Sequence, residues 1–337
     1  ELRAGGDVNI NDVGLSPRSG SGFSASAGGS VNVNARIDGT SGVPGGGVTL
    51  SAARDVNVNA AITTQNGAIT VAAANGIASV APSAGLFAGT GAVSVNALGT
   101  VTTGPITSGG LAVTSRGGSV LVNGAVAGSG SPMTIGAAGA VTVANSIVNP
   151  GAASPLTVTA GTNIAVNAHV GRSAVGVPSG AISLTAGQNV TLTESLIAEN
   201  NTISVTAQNG TVSVDGDEGL FAGNGAVTVQ SGQSLSTPTV VTTGPVSLTS
   251  TAGSVNVDQA ISGTTGPVTI AGALDVNVNQ AIANPRTGST LRITAGSTIN
   301  VNAAVDGRDT VLPSPSGTTT LTAGQHVVLN ADVVTRD

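Results

Sequence analysis

The chain has 337 residues and a formal net charge of −6, and small side chains dominate it: 50 residues are Gly and only 8% are charged. Aromatic residues make up 1% of the chain, as three Phe with no Trp or Tyr, whereas about 25% of the residues in a typical globular domain are charged. These values exclude a conventional mixed core. They also argue against disorder, because 40% of the residues are hydrophobic and the net charge is small for this length.

Several kinds of chemistry lack the residues they need. All ten basic residues are Arg, which excludes a Schiff-base lysine and a phosphate-binding P-loop lysine. Cys is absent, which excludes thiolate metal sites and disulfides. An acidic chain with scattered Arg and few aromatic rings is poorly suited to nucleic acid, and no apolar stretch is long enough to span a membrane. We therefore expect neither nucleic-acid binding nor membrane insertion.

Short strands are predicted along the whole chain. Apolar residues recur at positions 0 and 2, then 8 and 10, and then 14 of a repeating pattern, and alternation of this kind is typical of a strand with one buried face. The apolar residues are expected to face a core and the residues between them to face outward. The clearest instances, in chain order, are Val48, Leu50, Val56, Val58 and Ile62; Met133, Ile135, Val141, Val143 and Ile147; Leu156, Val158, Ile164, Val166 and Val170; Ile182, Leu184, Val190, Leu192 and Leu196; Val268, Ile270, Val276, Val278 and Ile282; and Leu291, Ile293, Ile299, Val301 and Val305.

The turns between strands carry recurrent residues. Thr-Ala-Gly occurs at 159–161, 185–187, 294–296 and 322–324, and we attribute its glycine to the backbone freedom that a tight corner needs. Asn recurs in and after the second strand, as in Val31-Asn32-Val33-Asn34. We expect the first Asn of each such pair to face outward and the second, at position 11, to stack in a ladder at the corner of the coil.

Position 0 recurs from Phe23 to Thr319 in steps that average about 23 residues, and one step is too short to enclose a core of its own. Stacking the steps as coils joins their apolar faces into one core and pairs the backbone between coils. The predicted fold is therefore all-β: a single continuous parallel β-solenoid, or β-helix, of about 15 coils over residues 1–337.

A longer repeat of six coils, about 134 residues, is superimposed on the coils. Gly85-Leu86-Phe87-Ala88-Gly89 returns as Gly219-Leu220-Phe221-Ala222-Gly223. The predicted copies are 1–47 (partial), 48–181, 182–318 and 319–337 (partial). Because residue 1 is Glu and both ends fall within a copy, we expect either a longer chain that continues the shaft or molecules that stack end to end.

The titratable residues form no convincing site. Asp215, Asp217 and Glu218 are the closest carboxylates, but the equivalent loop one copy earlier lacks them, so we interpret this loop as solvated and not as a metal site. His169 and His326 occupy different coil positions, which argues against a two-histidine site. We predict no catalytic, cofactor-binding or metal-binding residues and no enzyme activity.

Position 1 is predicted to form an outward-facing row of hydroxyl groups. Thr is well suited to a solvent-facing strand, and the alternatives are lateral packing of rods and binding to an ice-like or mineral lattice. The row is Ser or Thr in twelve of fourteen coils: Ser24, Thr49, Thr70, Ser94, Ala112, Thr134, Thr157, Ser183, Ser204, Thr228, Ser247, Thr269, Arg292 and Thr320.

The alternating Val-Asn-Val-Asn strands, the stretch Leu-Thr-Ala-Gly-Gln-Asn-Val-Thr-Leu at 184–192 and coils of about 20 residues resemble the filamentous-haemagglutinin-like exoproteins of two-partner secretion in Gram-negative bacteria. This resemblance implies a right-handed β-helix shaft, secreted unfolded through an outer-membrane pore, on an adhesin at the cell surface. We expect self-association, end to end or lateral, and any receptor- or glycan-binding domain outside this window. The alternatives are a self-assembling filament subunit, a lattice-binding protein and a β-helix carbohydrate-active enzyme.

Overall fold

The computed structural model describes residues 1–11, 21–39, 46–149, 154–172, 179–214, 218–283, 289–306 and 318–334. The chain divides into two compact units, unit 1 (Glu1–Val170) and unit 2 (Gly171–Asp337). Among the described residues, the regular elements are all short β-strands, and the strands within each unit pair in parallel. Each unit contains three sheets, named A, B and C in the order in which a coil visits them.

In unit 1 each coil from Phe23 onward contributes one strand to each sheet, and the described part of the first coil contributes strands to sheets A and B. Sheet A contains Leu2–Ala4, Phe23–Ala27, Val48–Ala52, Ile69–Ala73, Val93–Ala97, Leu111–Ser115, Met133–Ala137 and Leu156–Ala160. Sheet B contains Val8–Ile10, Val31–Val33, Val56–Val58, Ala78–Val80, Val101–Thr103, Val120–Val122, Val141–Val143 and Ile164–Val166. Sheet C contains Ile37–Gly39, Ile62–Thr64, Leu86–Phe87, Ile106–Ser108, Val126–Gly128, Ile147–Val148 and, at the end of the unit, Val170–Gly171.

Unit 2 repeats this arrangement. Sheet A contains Ile182–Ala186, Ile203–Ala207, Val227–Ser231, Val246–Ser250, Val268–Gly272, Leu291–Ala295 and Thr319–Ala323. Sheet B contains Val190–Leu192, Val212–Val214, Leu235–Ser236, Val255–Val257, Val276–Val278, Thr298–Val301 and His326–Leu329. Sheet C contains Leu196–Ile197, Gly219–Gly223, Thr239–Thr242, Ile261–Ser262, Ile282–Ala283, Val305–Asp306 and Val333–Val334.

Within each unit, the sheet A strands of successive coils pair in the register that the sequence pattern predicts. Val48 is the partner of Ile69 in unit 1, and Ile182 is the partner of Ile203 in unit 2. Coils of unequal length keep this register because the extra residues lie in the turns and not in the strands. The predicted all-β parallel β-solenoid is therefore confirmed. A single continuous solenoid over 1–337, and the boundaries at 47, 181 and 318, remain predictions.

The core of each unit is an aliphatic column. All thirty residues of the six clearest pattern instances are buried, among them Val143 in unit 1 and Val276 in unit 2. Small residues at position 4, such as Ala52 and Ala186, fill the corner of the column. No charged side chain is buried in the part of the chain that the structure describes. The facing of the strands is thus as the sequence predicts, with Thr142 and Asn277 on the outer side.

The reason proposed for the Thr-Ala-Gly glycine is wrong. Neither Gly161 nor Gly296 has a φ angle in the left-handed region, so no special backbone conformation is required. A Cβ atom at Gly161 would instead lie 2.0 Å from the carbonyl oxygen of Ala138, and one at Gly296 would lie 2.0 Å from that of Ala273. Glycine is needed here because successive coils stack their turn backbones in direct contact.

Candidate functional site: the outer faces of the coils

A ladder of side-chain amides follows the corner after sheet B, as predicted for position 11. In unit 1, Asn34 donates from Nδ2 to Oδ1 of Asn11 at 2.7 Å, and Asn59 donates to Asn34 at 2.8 Å. Strand spacing of about 4.8 Å lets each amide bond to its equivalents one coil away. The ladder therefore continues the hydrogen bonding of the backbone into the side chains.

A second amide ladder lies on the outer face of sheet B itself, where the sequence predicted only outward exposure. In unit 1, Asn32 donates to Asn9 at 2.7 Å, and Asn57 donates to Asn32 at 2.9 Å. Outward-facing side chains on in-register parallel strands lie directly above one another. The recurrence of an outward Asn in successive sheet B strands could therefore have predicted this second ladder.

Unit 2 contains the same two ladders. On the face of sheet B the bonds join Asn256, Asn277 and Asn300, with both distances 2.8 Å. At the corner, an aspartate starts the row, and its Oδ1 accepts a hydrogen bond of 2.9 Å from Nδ2 of the next residue. This corner ladder consists of Asp258, Asn279, Asn302 and Asn330.

The corner ladder of unit 2 provides a test. Replacing Asn279 with Asp removes the donor that faces Asp258 and places two carboxylates in contact, at a cost of about 1 kcal/mol beyond the lost hydrogen bond. We expect N279D to lower the free energy of unfolding in low salt, and N279A, which gives up its bonds to both Asp258 and Asn302, to lower it equally at low and high salt. Added salt should reduce the loss in N279D, because position 279 is exposed and the repulsion between its new carboxylate and Asp258 is screened. Urea denaturation at two salt concentrations measures both effects, and equal, salt-independent losses would contradict the ladder assignment.

Carboxylates and hydroxyls at the turn before sheet B cap the backbone of the next coil. Oδ1 of Asp55 accepts a hydrogen bond from the backbone N–H of Ile77 at 2.9 Å, and Oδ1 of Asp275 accepts one from Thr298 at 3.0 Å. Asn189 accepts an equivalent bond. These groups satisfy turn N–H groups that would otherwise lack a partner. Such aspartates are parts of the coil-to-coil architecture.

The outer face of sheet A carries the predicted hydroxyl row. None of the fourteen position 1 residues is buried. Position 3 adds a parallel second row on the same face, which includes Thr114, Thr159 and Thr294. The rows of each unit form a regular grid, about 4.8 Å between coils and about 6.7 Å along each strand. In the described parts of the chain, the charged residues on these two rows are Arg3 and Arg292.

The structure describes three of the titratable residues singled out in the sequence, Glu218, His169 and His326. Asp215 and Asp217 lie outside the described residues, and Glu218 accepts a hydrogen bond from the Ser195 hydroxyl. His169 provides its backbone carbonyl to Ile147 in unit 1, and His326 is exposed in unit 2. No group of three or more His, Cys, Asp or Glu suited to a metal ion occurs among the described residues.

Comparisons with known proteins add no identification. No family model matches the chain, and no curated protein or solved structure is similar enough to count as a match. Within the described ranges, no helix has the length and apolar character needed to cross a bilayer.

Proposed function

We propose that this chain is part of the stiff shaft of a large bacterial surface adhesin, where it provides length and rigidity. The in-register pairing of sheet A is the observation that carries this proposal. In unit 1, five consecutive residues of Val48–Ala52 pair with five of Ile69–Ala73, and the same holds at the next coils. Each coil is hydrogen-bonded to and packed against the coils on both sides. Opening one coil therefore breaks two sets of contacts, and the structure resists bending and local opening.

The energetics of the coils support a mechanical role. Each of the clearest coils buries five aliphatic side chains, and burial of one such side chain contributes roughly 1.5–3 kcal/mol. Backbone bonds and the amide ladders run between the same coils, so hydrophobic contact and hydrogen bonding act along one direction. Because these hydrophobic contacts and hydrogen bonds all join one coil to the next, they suit a shaft that transmits tension.

The resemblance to filamentous-haemagglutinin-like exoproteins supports an extracellular location and two-partner secretion. The absence of Cys is consistent with passage of an unfolded chain through a pore, because a disulfide would close a loop in the chain. Antibodies against residues 1–337 should label intact cells of the source organism, and external protease should remove the label. The native polypeptide, measured by mass after denaturation, should be much larger than 31.9 kDa. Labelling only after cell lysis would contradict the surface shaft.

Lateral self-association is a second candidate role, favoured by the hydroxyl face of sheet A. Such a regular face, whose charged residues among those described are Arg3 and Arg292, can pack on an identical face with few like charges brought together. Sedimentation at increasing protein concentration should show association, and T134E combined with T157E should reduce it because both residues are exposed on this face. T142E, on the outer side of sheet B, is the matched control. A single monomeric species at every concentration would contradict lateral association.

A further inference from the structure

A groove of about 590 Å³ lies on the outer face of sheet C in unit 2. Its floor is formed by Ile197, Phe221 and Val241, which occupy equivalent outward positions on three adjacent coils. Glu199 and Asn224 are among the polar residues of its rim. This volume lies within the range of small-molecule sites, which combine an apolar lining with a few polar groups.

Irregular backbone produces the concavity. The register between Gly219–Gly223 and Thr239–Thr242 shifts after Phe221, which marks a bulge, and bulges bend a strand and redirect its side chains. Asn200 and Gly223 both have φ near +60°, and a Cβ on Gly223 would lie 2.8 Å from the Asn200 nitrogen. The buried hydroxyl of Thr242 holds the bulge by donating to the carbonyl of Gly225 at 2.6 Å. The groove is therefore a formed feature of the resting structure.

The equivalent place in unit 1 serves as an internal comparison. One repeat of 134 residues earlier, Thr63, Phe87 and Thr107 occupy the three floor positions on paired coils, and Gln65 replaces Glu199. The same fold is thus built with hydroxyl groups where unit 2 has Ile197 and Val241. Apolar side chains at these outward positions are not required by the coil, so their presence in unit 2 indicates contact with something else.

The two units also differ in net charge. Unit 1 has five Arg and five acidic residues, whereas unit 2 has five Arg and eleven acidic residues, so the net charge of −6 belongs entirely to unit 2. Glu199 is half-buried beside the apolar floor and has no ion-pair partner among the described residues. A carboxylate attracts an organic cation by its charge, and the face of a neighbouring aromatic ring attracts the same cation by a cation–π interaction.

We propose that the unit 2 groove binds a small organic cation, an ammonium group carried on an apolar body. The body lies on the floor of Ile197, Phe221 and Val241, and the ammonium group donates to the carboxylate of Glu199. The acidic field of unit 2 adds to the attraction. The proposal goes beyond the role of the chain as a shaft and does not depend on it.

Three ligands with one apolar body and different head groups test the proposal. Phenethylammonium, 2-phenylethanol and 3-phenylpropionate should be titrated into the full chain by calorimetry and by ligand-detected NMR. We expect one site per chain for the ammonium, with at least fivefold weaker binding of the alcohol and no detectable binding of the carboxylate. E199Q should bring the ammonium and the alcohol to similar affinity, and I197T combined with V241T should remove binding of both.

The repeat supplies matched controls. I197T and V241T introduce only the residues that unit 1 carries at these positions, so unchanged far-UV circular dichroism is expected. The proposal is overturned if the three ligands bind equally, if E199Q leaves ammonium binding unchanged, or if phenethylammonium at millimolar concentration does not bind.

Discussion

Replacing Val143 with Asp is expected to destabilise the coils around Val141–Val143 by about 3–5 kcal/mol, because an unpaired charge would enter an aliphatic column that offers it no partner. Val143 is fully buried, and no charged side chain is buried among the described residues. Repeat proteins do not always unfold in one step, so the effect is best measured locally. Hydrogen exchange and limited proteolysis should show faster opening of Val120–Val122 and Ile164–Val166, the strands paired on either side.

Thr142 is the control for this variant, since it is the adjacent residue and faces outward. Its partners on the neighbouring coils are Leu121 and Ala165, neither of which is charged. T142D should therefore cost less than about 1 kcal/mol, the span of strand preferences. If V143D and T142D opened the same strands to the same extent, the assignment of inner and outer faces in sheet B would be wrong.

The facing of the strands was predictable because a strand allows only two orientations of its side chains. Once Val56 and Val58 are placed inward, Asn57 must face outward, and the repeat then fixes the register of the coils. The corner ladder through Asn34 and Asn59 was predictable on the same basis. The second ladder, through Asn57, requires only that outward amides lie on neighbouring strands of sheet B. The repeated Val-Asn-Val pattern already places them there, so this ladder was predictable as well.

Other features depended on distances that the sequence pattern does not contain. Gly161 looked like a residue that provides backbone freedom, but its role depends on how closely two turns stack. The groove of unit 2 was also missed, although Ile197 and Val241 stand at positions where the earlier copy has Thr. Recognising it required the register of sheet C. The strands of that sheet are two to five residues long, and so short an alternation of apolar and polar residues does not predict which side chains face outward.

Replacing Gly161 with Ala is the second test with a large expected effect. A Cβ at this position would lie 2.0 Å from the carbonyl oxygen of Ala138 in the adjacent coil, so one of the two turns must move. Both turns are held by coil-to-coil bonds, including the 2.9 Å bond from Gly161 N–H to the carbonyl of Ala137. We expect a loss of about 2–3 kcal/mol, comparable to overpacking a core.

Gly136 distinguishes this explanation from a general intolerance of Ala for Gly. It lies on the outer face of sheet A, paired with Thr159, and a Cβ there would have no atom within 4 Å. G136A should be neutral or stabilise unit 1 by up to about 1 kcal/mol, because Ala reduces the freedom of the unfolded chain and suits a strand interior better than Gly. Urea denaturation and hydrogen exchange at Met133–Ala137 and Leu156–Ala160 compare the two variants. If G161A were as stable as G136A, the turns would have room for a side chain, and close stacking of the turn backbones would not be what selects glycine at this corner.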